Sequence, residues 1–216
     1  GGIADVLVSN LECTAVPNKG NISVDGAGVG STISSTLRIY TFFINMGGIV
    51  ATHFDYRLFG NLEGDFSKYK HYAIFTNCSN SGNIHYGEVG ASVYQIAGGI
   101  LGQAVQSHSS GNPHCVEADK GYNTTITNCT NSGTILHNAR YSVVIEISGT
   151  GADGKAARHA TAGGIVGLIN GRSDAKATVS GCTNSGIVTD GWSGQRHFIG
   201  GISGYSKNAV FTDNVM

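Results

Sequence analysis

The cysteines are the residues in this sequence whose spacing most clearly suggests a chemical role, as disulfides or metal ligands. Three of the five cysteines, Cys78, Cys129 and Cys182, stand at one place in an internal repeat, two residues before an Asn. The first repeat has Val16 there, which favours a buried small apolar residue, and no C-x-x-C pair or regular zinc spacing is present. Disulfides between neighbouring repeats are the alternative, although an odd number of cysteines leaves one thiol unpaired. We predict a buried column of reduced thiols.

One stretch of the chain gathers several side chains that could bind a metal. His108, His114, Cys115, Glu117 and Asp119 fall within twelve residues of one another. They lie in a long insertion of a single repeat, lack the i, i+4 pairing of a helical zinc site and surround a Gly-Asn-Pro turn. We therefore favour a solvated loop and predict no metal and no cofactor, with the two histidines and two carboxylates as the candidate ligands.

Carboxylates offer a second route to chemistry. A β-helical enzyme acting on polysaccharides needs two carboxylates across a sugar, or a Ca²⁺ cage with a catalytic Arg or Lys. The close acidic pairs, Glu63 with Asp65 and Glu117 with Asp119, both lie in variable insertions and do not recur from repeat to repeat. The sequence also has no G-x-S-x-G, H-E-x-x-H or P-loop motif. We predict a protein that is not an enzyme, with a carbohydrate-active lyase or hydrolase as an alternative.

Two alternating anchors define the repeat that must position these residues. G-G-I begins at positions 1, 47, 98, 163 and 200, and an Asn-x-Gly turn falls between each pair of consecutive copies. The anchors persist while the spacing between successive G-G-I copies varies from 37 to 65 residues. Such variation is typical of a solenoid, in which fixed strands line a core and loops absorb insertions. Ile, Val and Thr near the anchors, bounded by Gly and Asn, favour strands over helices.

Comparison of the repeats with one another predicts which side chains face the core. The residue after G-G is Ile in every copy whereas the next one varies, and strand side chains alternate between the faces of a sheet. A second aliphatic column follows Asn-x-Gly. The predicted core columns are Ile3, Ile49, Ile100, Ile165 and Ile202, and Ile22, Ile84, Ile135 and Ile187.

The Asn of the second anchor has a structural explanation of its own. Asn tolerates left-handed turn geometry, and stacked amides can hydrogen-bond from one turn of a solenoid, here called a rung, to the next. The predicted turn ladder consists of Asn18, Asn80, Asn131 and Asn184.

These patterns together predict an all-β fold, a right-handed parallel β-solenoid with four to five irregular rungs and long inserted loops. Residues 1–216 form a single solenoid segment, with repeats starting near 1, 47, 98, 163 and 200. Because the sequence opens on one anchor and closes inside a repeat, we expect it to be a fragment of a longer repeat protein.

The alternation of G-G-I-V-G with N-S-G-x-I resembles the GLUG-type repeats of bacterial surface proteins, which include large secreted adhesins. The resemblance covers most of the chain. It differs in having Ile where that motif tends to have Leu, in the Cys of C-T-N-S-G and in the long insertions. The resemblance implies an extracellular or cell-surface location and an adhesive role, with no catalytic residues to carry over.

Composition narrows the range of partners. With 13 Lys and Arg against 14 Asp and Glu, the chain has no basic footprint for nucleic acid, and no apolar run reaches the roughly 20 residues needed to span a bilayer. The acceptor pattern N-x-[ST] makes Asn21, Asn77, Asn123 and Asn128 candidates for glycosylation. Asn77 and Asn128 arise from the repeat itself, with a Cys in the middle of the pattern, so Asn21 and Asn123 are preferred.

The expected function follows from rigid repeats beside variable insertions. We predict an extracellular structural or adhesive module that displays loops on a solenoid stalk, with residues 26–45, 51–72, 103–122 and 138–160 as its binding segments. The expected partners are other proteins, a second copy bound through rung ends or loops, or surface glycans. A filament subunit that assembles by rung stacking is the other alternative, because open solenoid ends template association.

Overall fold

The computed structural model describes residues 4–7, 11–24, 42–54, 72–86, 93–105, 124–137, 160–171, 176–190 and 197–216. Within these residues the chain is entirely β, with 22 strands in five parallel sheets and no helix. Strands are numbered in chain order, and the sheets are numbered in the order in which the chain first enters them. The all-β prediction and its parallel pairing are confirmed.

The strand bounds are as follows. Sheet 1 contains β1 (Ala4–Leu7), β6 (Val50–Phe54), β11 (Leu101–Val105), β16 (Val166–Asn170) and β21 (Ser203–Lys207). Sheet 2 contains β2 (Leu11–Thr14), β7 (Ala73–Thr76), β12 (Thr124–Thr127), β17 (Ala177–Ser180) and β22 (Ala209–Thr212). Sheet 3 contains β3 (Pro17–Asn18), β8 (Ser79–Asn80), β13 (Thr130–Asn131) and β18 (Thr183–Asn184). Sheet 4 contains β4 (Ile22–Val24), β9 (Ile84–Tyr86), β14 (Ile135–His137) and β19 (Val188–Asp190), and sheet 5 contains β5 (Phe42–Gly47), β10 (Val93–Gly98), β15 (Ala160–Gly163) and β20 (His197–Gly200).

The order of the strands within the sheets is that of a coiled chain. Consecutive strands along the sequence belong to different sheets, and each strand from β1 to β17 pairs in parallel with the strand five places further on. The chain therefore visits the sheets in a fixed order and returns to each of them, which is consistent with a β-solenoid. Equivalent residues of successive repeats lie directly beside one another, as in the pairing of Asn80 with Asn131.

Two kinds of corner recur along the solenoid, the G-G-I anchor and a left-handed corner that precedes the Asn-x-Gly anchor. The G-G-I corner links sheet 5 to sheet 1, and its backbone continues the ladder, since the N–H groups of Gly48 and Ile49 donate to the carbonyls of Gly98 (3.1 Å) and Ile100 (3.0 Å). The corner between sheets 2 and 3 uses a left-handed residue in every rung. Its residues are Ala15, Asn77, Asn128, Gly181 and Asp213, with φ between 51° and 62°. Asn, Asp and Gly tolerate this conformation, which accounts for most of this column. The expectation of left-handed geometry at the asparagines of the second anchor is wrong, because none of them has a positive φ.

The interior consists of stacked aliphatic columns. Strands β7, β12 and β17 alternate buried and half-buried residues, so that Phe75, Ile126 and Val179 stack inward. The main core also contains the buried Ile49, Ile100 and Ile165 of the first anchor. A second cluster joins Met46, Ile84, Tyr86, Ala97, Ile135 and Ala162 between sheets 4 and 5. Full burial of each large aliphatic side chain contributes about 1.5–3 kcal/mol.

One predicted core position is wrong. Ile187 is 65% exposed, and Val188 takes the place in sheet 4 that Ile135 and Ile84 occupy. In the first three repeats the inward residue stands four positions after the Asn, whereas Ile187 stands three positions after Asn184. A shift of one residue in a strand moves the side chain to the opposite face. Of the remaining predicted core residues, Ile22 and Ile202 are half-buried, and Ile3 lies outside the described residues.

Candidate functional site

The asparagines of the second anchor form a continuous hydrogen-bonded ladder through the stack. The side-chain amide Nδ2 of Asn80 donates to Oδ1 of Asn131 at 2.7 Å and to the carbonyl oxygen of Gly82 at 2.9 Å. Asn18 and Asn131 make the same pair of contacts, each to the next Asn at 2.7 Å and to the Gly two residues on. Asn184, whose Nδ2 donates to Gly186, completes the described ladder. Both hydrogens of each of the first three amides are therefore used inside the protein.

The Asn ladder packs directly against the G-G-I corners on the other side of the rung. A Cβ atom on Gly99 would lie 2.6 Å from Cγ of Asn131 and would also meet the carbonyl oxygen of Gly164. Gly48 stands in the same relation to Asn80, 2.7 Å from its Cγ. The second glycine of this anchor is needed because the amide of the other anchor already fills the space that a side chain would take.

The three repeat cysteines form a second column beside the ladder. Cys78, Cys129 and Cys182 are fully buried, and all three are free thiols, as is the buried Cys13. Each sulfur of the column lies 3.4–3.6 Å from the carbonyl oxygen two residues before it. Each also lies 3.3–3.6 Å from a carbonyl of the preceding rung, at Cys13, Phe75 or Ile126.

The pKa values of two of the buried thiols, Cys13 and Cys129, are raised. Burial raises the pKa of Cys13, with the neighbouring Cys78 adding to the effect. Interaction with the thiols of Cys182 and Cys78, together with burial, raises the pKa of Cys129. A thiol that stays neutral is a poor nucleophile, so these two sites are unsuited to covalent catalysis.

The predicted metal ligands, His108, His114, Glu117 and Asp119, lie outside the described residues. Among the residues whose positions are described, no group of three or more His, Cys, Asp or Glu side chains could hold a metal ion.

The described glycosylation candidates lie at two places, the connection between sheets 3 and 4 and the left-handed corner between sheets 2 and 3. Asn21 is exposed, and its Oδ1 accepts the backbone N–H of Asn83 at 2.9 Å. Asn77 and Asn128 are exposed at the left-handed corner, where the backbone conformation itself favours Asn. Asn123 lies outside the described residues.

Most of each predicted binding segment also lies outside the described residues, and so do Glu63 and Asp65. The described parts are strand ends, namely residues 42–45, 51–54, 103–105 and the single positions 72 and 160. Tyr72 is half-buried and its hydroxyl donates to the carboxylate of Glu12 at 3.0 Å, which connects the end of one segment to sheet 2.

Three features were not predicted from the sequence. Cys13 is buried in register with Phe75, in a core column distinct from that of the other cysteines. Gln103 is fully buried with neither side-chain atom hydrogen-bonded. A column of hydroxyls runs along the outer face of sheet 2, through Thr14, Thr76, Thr127, Ser180 and Thr212. The recurrence of Thr or Ser two residues before the Cys position was the available signal for this last column.

The last strands of two sheets carry exposed apolar side chains. Phe198 and Ile199 of β20, and Val210 and Phe211 of β22, are 37–39% exposed. Phe211 stands in the column of Val179 and Ile126, which are fully buried where a further strand covers them. In the described part of the chain, β20, β21 and β22 each have a strand on one side only.

The described residues contain no helix long and apolar enough to cross a membrane. No protein family, curated protein or solved structure with which the chain was compared matches it.

Proposed function

We propose that this chain is a structural and adhesive module of the GLUG-like type, a right-handed β-solenoid of four to five rungs that presents variable loops at an extracellular or cell surface. The observation that carries the proposal is that the Asn of the second anchor makes its hydrogen bonds inside the protein in each rung. Each of the first three ladder amides donates a hydrogen bond to the Asn of the next rung, and the second glycine of the G-G-I anchor packs against these amides. Residues committed in this way can hold a scaffold but are not free to bind a partner.

Recognition is therefore assigned to the insertions, whose lengths differ from repeat to repeat. Binding residues usually lie on loops, because a rigid scaffold holds these loops in position. The partners that fit are proteins or surface glycans. Exposed Asn21 is available for glycosylation in such a setting.

Loop replacement tests this proposal. Residues 106–123 and 138–159 are exchanged, separately, for short Gly-Ser connections in the full chain, and binding is measured on glycan arrays and on cell surfaces. We expect at least one variant to lose binding while its melting temperature stays close to that of the parent. Binding that survives both replacements contradicts the assignment.

A turnover assay separates the enzymatic alternative. Polysaccharide turnover by the parent chain that disappears when Glu63, Asp65, Glu117 and Asp119 are replaced by their amides would identify a carbohydrate-active enzyme. Turnover that is absent from a broad set of polysaccharides, together with loop-dependent binding, supports the adhesive module.

Self-association by rung stacking is favoured by a separate observation. Edge strands β20 and β22 expose Ile199, Val210 and Phe211 beside unpaired backbone, and such edges template further strands. A charged residue on an edge strand opposes this pairing. If the chain assembles end to end, Val210→Lys should reduce the mass measured by sedimentation, whereas Thr130→Lys, at an exposed position of β13 with a paired strand on either side, should leave it unchanged. A parent that sediments as a monomer at all concentrations rules out assembly.

A further inference from the structure

The column of Cys78, Cys129 and Cys182 is the one set of potentially metal-binding side chains in the described structure that the proposed function leaves unused. Each sulfur makes the same two contacts, to the carbonyl two residues before it and to a carbonyl of the preceding rung. Side chains that repeat the same contacts in register have the same rotamer. Neighbouring sulfurs are therefore separated by the spacing of parallel strands, about 4.8 Å.

This spacing is poorly suited to a disulfide. A disulfide needs an S–S distance of about 2.05 Å and Cβ atoms about 3.8 Å apart, whereas stacked side chains keep both separations near 4.8 Å. Both thiols would have to leave their rotamers and their carbonyl contacts before they could bond. The free state of all three thiols agrees with this geometry.

The same spacing suits a cation with two sulfur ligands in a line. A metal–sulfur bond is about 2.3 Å long in zinc sites, so two collinear bonds span about 4.6 Å, close to the strand spacing. Soft cations such as Cu(I) prefer sulfur ligands. Zinc and other cations that need four ligands are excluded here, because no described group of three or more suitable side chains converges.

We propose that the thiol column is a two-coordinate site for a soft monovalent cation of the Cu(I) class, held between Cys129 and either Cys78 or Cys182. One thiol releases its proton to solvent and binds as the thiolate, and the other binds as the neutral thiol, so that no electrons are transferred. The site then keeps zero net charge, which matters because an uncompensated buried charge is costly. Because Cys129 belongs to both pairs and each sulfur is assigned a single cation in this proposal, one cation binds per chain.

We place the entry to the column at the left-handed corner. Asn77 and Asn128 precede Cys78 and Cys129 directly and are exposed. The thiols therefore lie one residue inside the surface of the corner between sheets 2 and 3, so local opening there is enough to admit a bare cation.

The test uses Ag(I), a stand-in for Cu(I) that air does not oxidise, added to the full chain carrying Cys115→Ser so that the loop thiol does not compete. Native mass spectrometry counts the bound cations, and X-ray absorption identifies their neighbours. We expect one Ag(I) per chain with two sulfur neighbours. Valine is the matched replacement throughout, because Val16 occupies this place in the first rung.

The pattern across variants decides the outcome. Cys129→Val should abolish binding, since the remaining thiols are two strand spacings, about 9.6 Å, apart. Cys78→Val and Cys182→Val each leave an adjacent pair and should retain one Ag(I), as should Cys13→Val in the neighbouring column. Binding that survives Cys129→Val, or the absence of bound Ag(I) in the parent, overturns the proposal. Circular dichroism confirms that each variant is folded. The double variant Cys78→Val with Cys182→Val leaves Cys129 alone and should also abolish binding, which keeps the test decisive if Cys129→Val unfolds.

Discussion

Replacement of Asn131 by Ala should destabilise the protein far more than the same replacement at Asn18. Asn131 lies inside the ladder, where it accepts one hydrogen bond from Asn80 and donates one to Asn184 and one to the carbonyl of Gly133. It is 1% exposed, so water cannot take over these contacts. Asn18 stands at the end of the described ladder, is half-buried and donates to the exposed Gly20.

The magnitude follows from the groups that lose their partners. Asn131→Ala leaves one buried donor and two buried acceptors without partners, and each such group costs about 1–3 kcal/mol. The total of at least about 3 kcal/mol is a large part of the 5–15 kcal/mol that stabilises a typical domain. At Asn18, water can replace most of the lost contacts, and about 1 kcal/mol is expected.

Urea denaturation followed by circular dichroism measures both free energies of unfolding. Asn131→Asp separates lost hydrogen bonds from lost volume, because it keeps the shape while replacing the donor with an oxygen that faces two acceptors. Its deficit should shrink as the pH falls, since a protonated carboxyl donates again and burial raises the pKa of a carboxyl. Equal costs for Asn131→Ala and Asn18→Ala, or a deficit of Asn131→Asp that does not depend on pH, would refute the reasoning.

Three other outcomes follow from the packing. Gly99→Ala should lower the free energy of unfolding by about 3 kcal/mol or more, or prevent folding, because the added Cβ would meet backbone and an amide. Gly20→Ala is the control, since no atom lies closer than 3.8 Å to the added carbon, and it should change the stability by less than about 1 kcal/mol in the same urea titration. Gln103→Leu should stabilise the protein by about 1–3 kcal/mol in thermal melts, because it removes a buried amide without hydrogen-bond partners. A Leu fits this place, since the next rung has Leu168 in register. A loss of stability would show that the amide is hydrogen-bonded in solution. The raised pKa of Cys13 means that the unfolded chain loses this proton first, so the associated stability is complete below about pH 8.5 and declines as the pH rises through the folded pKa. Cys13→Val should flatten that decline in urea titrations run between neutral and alkaline pH, and an unchanged slope would contradict it.

The repeat made much of the architecture predictable. Equivalent residues from successive repeats can be compared within a single sequence, and a position that stays Ile while its neighbour varies identifies the inward face of a strand. Ile49, Ile100 and Ile165 are fully buried, in agreement with this comparison. It also identified the Asn column, which stacks from rung to rung in the structure.

Comparison of the repeats cannot decide which of two adjacent apolar residues in a strand faces the core. Ile187 and Val188 are both aliphatic, and only the pairing of Val188 with Ile135 shows which one faces inward. Cys13 was missed for a related reason, because its equivalents in the other rungs are Phe75, Ile126 and Val179, which do not resemble it. A column that requires only an apolar side chain gives no recurring letter to recognise.

The sequence by itself determined the strands, their parallel stacking and the identity of the two anchors, because these follow from local preference and from recurrence along the chain. Only the tertiary structure decided why the two anchors occur together. Asn131 and Gly99 are 32 positions apart in the sequence, yet the amide of one fills the space beside the other. Contact across the interior of a rung depends on how far the chain has turned, and no local pattern records that. The spacing of the three repeat thiols likewise exists only once the rungs are stacked.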